Sequence, residues 1–231
     1  VLVTGFPADL TATNCYVVAP GPGEQCVVID PGVNAVGRLD ELLAEHRLHP
    51  VAVLLTHGHL DHTFSVLPVC DARDVPAYIH PLDRGQLTDP WSGIGLPRGA
   101  PIFGASGLTF AEPADVLELA DGCVLRLAGL ELTVRHAPGH TPGSVAFSLP
   151  SPQAPLFFSG DLLFAGSIGR VDLPGGSEAQ MMRSLAEVVL PLPDETEVLS
   201  GHGPETTVGQ ERATNPYLRL AATAGDASTR G

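Results

Sequence analysis

Four times in this 231-residue chain a short apolar run ends at a glycine-bounded turn carrying a histidine or an aspartate, and this recurrence limits the fold more than any other feature. The clearest case is LLTHGHLDH, in which His57, His59, Asp61 and His62 directly follow the apolar run from Val51 to Leu55. A strand ending there would present all four side chains on one loop at its C-terminal edge, with Gly58 allowing the backbone to turn. The other three are His140 in APGHTPGS, Asp161 in LFFSGDLLF and His202 in VLSGHGP. Each alone reads as a hydrogen-bonded loop residue. Together they supply seven imidazole and carboxylate donors at four strand ends, enough for two metal ions with about three ligands each and a shared bridge.

Between those turns the chain alternates two kinds of segment. Apolar, β-branched runs at Asn14 to Ala19, Cys26 to Ile29, Val51 to Leu55, Pro76 to Ile79, Cys123 to Leu127, Leu132 to Arg135, Val145 to Leu149, Leu156 to Phe158 and Glu197 to Leu199 are bounded by Gly, Pro or Asp and predict nine strands. Helical spacing predicts helices at Ala35 to His46, Thr63 to Ala72 and Glu178 to Val189. So many strands interleaved with helices predict an α/β class fold of two packed sheets with helices outside, in a single domain over 1–220. The segment 80–115, rich in Pro and Gly and without periodicity, reads either as a lid or binding loop or as a surface excursion. Residues 221–231 are polar and predict a flexible C-terminal tail.

Composition narrows the partners. With 26 acidic and 12 basic residues the net charge is −14, which repels phosphate backbones and anionic membranes, so neither nucleic acid nor membrane is an expected partner. No stretch approaches the roughly 20 apolar residues of a membrane span, and the N-terminus lacks a basic-then-apolar leader pattern, which makes the cytoplasm the expected location. Cys15, Cys26, Cys70 and Cys123 form no CxxC and read as buried small hydrophobes rather than a disulfide framework.

The HxHxDH pattern from His57 to His62, with His140, Asp161 and His202 downstream, resembles the metallo-β-lactamase superfamily over nearly the whole chain. The resemblance implies the αββα four-layer sandwich with the site at one edge between the sheets. It implies two zinc ions, the same donors also accepting iron or manganese: His57, His59 and His140 on the first, Asp61, His62 and His202 on the second, and Asp161 bridging. Asp61 and Asp161 are the expected catalytic carboxylates, acting through the metals they hold. Within the superfamily, NCYVV near the start, DPG at Asp30 to Gly32, GHTPGS and GRVDLPGG at Gly169 to Gly176 resemble the short, single-domain glyoxalase II-like (hydroxyacylglutathione hydrolase-like) enzymes. Phe147 stands where the long forms carry a tyrosine.

The expected reaction is hydrolysis of a small acyl thioester by a metal-bridging hydroxide, a thiolate of pKa near 8.5 leaving without a dedicated general acid. Other readings are a lactone, β-lactam or phosphoester hydrolase of the same fold, a mononuclear-iron persulfide dioxygenase, for which GRTDFQ would be expected in place of GRVDLPGG, and a non-catalytic metal-binding module. Arg170 and Asp172 are expected to brace the loop after Asp161 from a second layer around the metals. His46, His49, His80 and His136 read as structural. Oligomeric state has no signal in the sequence.

Overall fold

A strand covered on both faces must be apolar at successive positions rather than at alternate ones, because its side chains alternate between two buried surfaces. The strand-like runs of this chain have that composition, and the computed structural model, which describes residues 1–228, places them in two six-stranded sheets. The first sheet has the order β1 (Leu2–Pro7), β2 (Asn14–Ala19), β3 (Gln25–Ile29), β4 (His49–Leu54), β5 (Ala77–Ile79) and β6 (Val116–Glu118). Its first three strands are antiparallel, and β3 to β6 run parallel. The second has the order β12 (Thr206–Thr207), β11 (Glu197–Ser200), β10 (Leu156–Gly160), β9 (Val145–Leu149), β8 (Leu130–His136) and β7 (Val124–Leu127). Only its β10–β11 pair is parallel.

The pleat sorts the core into layers. In β2, Cys15, Val17 and Ala19 face outward and pack with Leu39, Leu42 and Leu43 of α1 (Ala35–His46), whereas Tyr16 and Val18 face the second sheet. The outer cluster is completed by Val66, Val69 and Cys70 of α3 (Val66–Arg73), which follows the single turn α2 (Leu60–Thr63). Between the sheets, Ile29, Ala52 and Leu54 meet Leu132, Val134, Phe147 and Phe158. On the far side, Ala146, Phe157 and Val198 pack against Met181 of α6 (Glu178–Ser184), a π turn at Leu185–Val189, Val208 at the head of α7 (Val208–Thr214) and Leu218 and Ala221 of α8 (Pro216–Ser228). The result is the αββα sandwich.

Three strands had too little pattern to be predicted: β1 is a half-buried edge strand interrupted by Gly5, and β6 and β12 have three and two residues. The helix expected from Thr63 to Ala72 is split, because Ser65 turns to donate its hydroxyl to Gly32 O (2.7 Å). Within 80–115 lie α4 (Pro81–Arg84), a 3-10 turn at Gly85–Leu87 and α5 (Pro90–Ile94), with Trp91 and Ile102 buried against Leu60. The boundary expected at 220 falls inside α8, where Ala221 is buried, so the helix extends into the expected tail; residues 229–231 of that tail lie outside the described residues. No described helix is long and apolar enough to cross a membrane.

Phe158 is 1% exposed and meets the Tyr16 ring edge-on at 5.5 Å in the inter-sheet core. Phe158→Ala is expected to lower unfolding free energy by about 3–5 kcal/mol in denaturant titration; a loss under about 1 kcal/mol would mean that the two sheets do not share this core.

Candidate metal centre

Loops that follow parallel strands emerge at the same end of a sheet, and here four loops from both sheets meet. The loop after β4 carries His57 and His59, and α2 carries Asp61 and His62. The β8–β9 loop carries His140, Asp161 follows β10 and His202 follows β11. All seven predicted donors are brought together, in three overlapping groups whose ligand atoms lie within 4.8 Å of one another: His57, His59 and His140; His57, His62 and Asp161; Asp61, His62 and His202. Between them stands Asp161, its Oδ1 3.3 Å from His62 Nε2 and its Oδ2 3.5 Å from His140 Nε2 and 3.7 Å from His202 Nε2. Gly201 allows this crowding: a Cβ there would overlap Asp161 Oδ1.

The outer nitrogens decide which way the imidazoles present their lone pairs. Asp30, buried at the end of β3, accepts from Thr56 N (2.8 Å) at Oδ1 and from Thr56 Oγ1 (2.6 Å) and His62 Nδ1 (2.9 Å) at Oδ2. With the Thr56 hydroxyl proton committed to Asp30, its oxygen accepts from His57 Nδ1 at 3.1 Å. His140 Nδ1 donates to Arg170 O at 2.7 Å. In their neutral, metal-binding form the rings of His57, His62 and His140 therefore all carry their proton on Nδ1 and turn an Nε2 lone pair inward. His57 and His140 then face each other, Nε2 to Nε2, at 3.2 Å, and His59 Nδ1 lies 2.8 Å from the same His140 nitrogen. Facing lone pairs repel unless a cation lies between them. Asp161 Oδ1 is moreover buried without a hydrogen-bond partner. This donor set fits a pair of transition-metal ions.

Electrostatics divides the site. Burial and neighbouring imidazoles hold His57 well below the ordinary imidazole range, and burial followed by His140 pushes His59 down to about 4. At His62 burial also opposes the charge, but the carboxylates of Asp161, Asp61 and Asp30 outweigh it and raise the pKa well above the usual value. His202 is raised in the same way, burial being outweighed by its hydrogen bond to Asp61 and by Asp161. The carboxyls of Asp61 and Asp161 lie below the usual range despite their burial because His62 and His202 face them. Carboxylates that would keep a proton on His62 would equally keep a metal cation in its place.

The second layer differs from expectation. The side chains of Arg170 and Asp172 pair with each other at 2.7 and 2.8 Å at the surface, 61% and 68% exposed, and touch no ligand; the contribution to the site comes from the backbone carbonyl of Arg170. The supporting residues that sequence reasoning missed are Asp30, Thr13, Asn14, Tyr16 and Asp83. Thr13 donates to Asp61 Oδ2 (3.1 Å), while Asn14 and Tyr16 each donate to Ser200 O (2.9 Å), two residues before His202. The signal for Asn14, Tyr16 and Asp30 was the NCYVV and DPG motifs, legible as resemblance but not as contacts. Of the remaining histidines, His46 ends α1 and His49 begins β4. The His80 and His136 rings stack at 4.2 Å, and His136 Nε2 donates to Pro142 O (2.9 Å).

The profile of the metallo-beta-lactamase superfamily matches residues 8–202, from just before Thr13 to the last histidine of the site. The chain belongs to the metallo-beta-lactamase superfamily. It is 40% identical to the probable metallo-hydrolase YqgX of Bacillus subtilis, over 92% of this chain and 95% of that one. It is 34% identical to the hydroxyacylglutathione hydrolase GloC of Haemophilus influenzae, over 92% and 96%. Among solved structures it is similar to BLEG-1, a B3 metallo-beta-lactamase, with a TM-score of 0.82 at 38% identity, covering 94% of this chain and 99% of that one. It is also similar to TTHA1623 in a di-iron-bound form, with a TM-score of 0.74 at 39% identity, covering 94% and 100%. Membership with this His and Asp cluster makes the chain a metal-dependent enzyme of the metallo-hydrolase type.

Two expectations follow from this superfamily site. Asp30 accepts on both oxygens, which an asparagine cannot do, so Asp30→Asn should weaken metal binding about 10–100-fold in a chelator competition; unchanged affinity would remove Asp30 from the support of His62 and His57. Because the neighbouring carboxylates hold the His62 pKa well above the usual value, a proton must leave before its Nε2 takes a cation. Metal uptake at neutral pH should therefore release protons, measured by calorimetry in buffers of different ionisation enthalpy, and affinity should fall as pH falls. Uptake without proton release would refute that charge state.

Proposed function

We propose that this protein hydrolyses small acyl thioesters with a pair of divalent metal ions, zinc by the chemistry of its donors, iron being the metal of the TTHA1623 structure. His57, His59 and His140 would hold one ion, Asp61, His62 and His202 the other, and Asp161 would be shared. Ions bound there supply a water ionised near neutral pH and a Lewis acid for the scissile carbonyl.

The observation that carries the choice of substrate is the lining of the cleft over the site, of about 440 Å³. Besides five of the seven donors it is lined by Ile94, Phe164, Ser167, Ile168, Arg170 and Leu173. No carboxyl or imidazole outside the donor set lines it, so no side chain there is placed as a dedicated proton donor. A leaving group that departs as its own anion suits such a site, and a thiolate does so near neutral pH, whereas an alkoxide or an amine needs a proton. The apolar side chains of Ile94, Phe164, Ile168 and Leu173 would receive an acyl chain and shield the reacting carbonyl from bulk water, while Phe164 holds the His202 ring edge-on at 5.9 Å. GloC, a hydroxyacylglutathione hydrolase, supports a thioester as the substrate class. The size of the cleft favours a small molecule and the charge of −14 disfavours polyanions. Four free cysteines fit a reducing cytoplasm. Burial pushes the Cys26 and Cys70 thiols up to about 12, which leaves them unreactive.

Metal analysis and a thiol-release assay on short acyl thioesters test this reading together. About two metal ions per chain with thiol release are expected, and His57→Ala and Asp161→Asn should each lower kcat/KM at least about 100-fold and lose metal. A metal-loaded protein that releases no thiol but opens a lactone or a β-lactam would replace the thioester by that substrate.

A further inference from the structure

We propose that Asp83 is a positioning residue for the three-histidine half of the metal centre, fixing the loop of His57 and His59 against the loop of His140. The proposal rests on the reading of that half as a metal site. Asp83 lies in α4, within the 80–115 segment, and has no solvent exposure. Its Oδ2 accepts from Gly58 N (2.9 Å) and Thr141 Oγ1 (2.6 Å), and its Oδ1 accepts from Gly143 N (2.8 Å). Gly58 separates His57 from His59, and Thr141 follows His140, so one carboxylate ties together the two loops that bear these ligands.

The fit is tight on both sides. A Cβ on Gly143 would lie 2.6 Å from Asp83 Cγ, and one on Gly58 would lie 2.8 Å from Asp83 O. The same segment presses on the site a second time, since a Cβ on Gly93 would lie 3.2 Å from His59 Cδ2.

The two backbone contacts call for an acceptor on each oxygen. Gly58 N and Gly143 N are backbone donors that cannot reverse their polarity, and they address opposite oxygens of Asp83. An asparagine has one acceptor oxygen, so either orientation sets its NH₂ against a backbone N–H. No basic side chain of the described residues pairs with Asp83; its three partners are neutral. A buried charge compensated only by neutral donors is a costly way to stabilise a fold, and apolar side chains would stabilise it as well. What the carboxylate achieves is geometric: it sets the separation across which His140 Nε2 faces His59 Nδ1 (2.8 Å) and His57 Nε2 (3.2 Å). Metal affinity depends steeply on such support. Asp30 does the corresponding work from the sheet side, through Thr56 and His62.

The test is a Zn²⁺ titration of metal-free protein with a competing chelator, on wild type, Asp83→Asn, Thr141→Val, Thr141→Ser and Leu42→Ala. Leu42 packs beneath α1 away from the site and controls for lost stability. Asp83→Asn should weaken one of two zinc-binding steps about 10–100-fold and leave the other unchanged. Thr141→Val should weaken the same step by less, Thr141→Ser should restore it, and Leu42→Ala should lower Tm without moving either step. Equal weakening of both steps, or no change in either, would overturn the proposal. If Asp83→Asn does not fold, the Thr141 pair decides: Val and Ser variants that bind zinc alike would overturn it. A wild type that takes up no zinc defeats the metal reading beneath, and is recognised because the unaltered chain is then the one that fails.

Discussion

Two imidazole nitrogens that turn their lone pairs toward one another at 3.2 Å, His57 Nε2 and His140 Nε2, repel, and this fold is arranged to hold them there. The donors come from four loops spread over residues 57 to 202, so nothing local keeps them close. Two buried carboxylates and one backbone carbonyl do so: Asp30, Asp83 and the carbonyl of Arg170 each take protons from the outer side of the cluster. Their effect is directional as well as attractive. By holding Nδ1 of His62 and His140 to outer acceptors, Asp30 and the Arg170 carbonyl turn each Nε2 toward the other donors, and the site is preorganised before any ion arrives.

The sandwich makes this arrangement affordable in backbone terms. Its central strands carry apolar residues on both faces, so almost no polar side chain is needed to solubilise the sheets, and polar residues are free to gather at one end. Parallel pairing of β3 with β4 and of β10 with β11 sends Asp30, His57, Asp161 and His202 out at the same edge. Antiparallel β8 and β9 are joined there by the turn that carries His140. Four polar loops crowded together would ordinarily leave unpaired backbone groups. Here many of these groups bond one another or the buried side chains, as Asn14 N does to Gly201 O (2.7 Å) and Val145 N to Thr56 O (2.8 Å).

How much of this could be read beforehand depended on whether the signal was local. The seven donors were legible because each follows an apolar run and sits beside a glycine or within HxHxDH. The layers were legible because strands buried on both faces leave unbroken apolar runs. Asp83 was not, since its partners lie 25 to 60 residues away and two of the three are backbone N–H groups, which leave no trace in side-chain identity. The only mark was indirect: Gly58 and Gly143 must be glycine because Asp83 occupies the space of their side chains. Arg170 and Asp172 misled for the opposite reason. Two opposite charges spaced two apart beside the site suggested support for it, but that spacing lets them satisfy each other in solvent, and the bond to His140 comes from a main-chain carbonyl that any residue would supply.

Charge connects the site to the rest of the molecule. The chain carries a net −14, and three of its carboxylates, those of Asp30, Asp61 and Asp161, gather at one point where His62 and His202 face them. Such a field concentrates divalent cations and repels polyanions over a range set by the Debye length, about 8 Å at physiological ionic strength. Inside the cleft the balance shifts, because bound cations would offset those carboxylates and the remaining lining is largely apolar with one arginine already paired to Asp172. On the proposed function, a substrate would gain little from carrying a large negative charge and much from offering a small apolar acyl group. On that reading the acidic exterior and the apolar cleft would select in the same direction, toward small molecules of low charge.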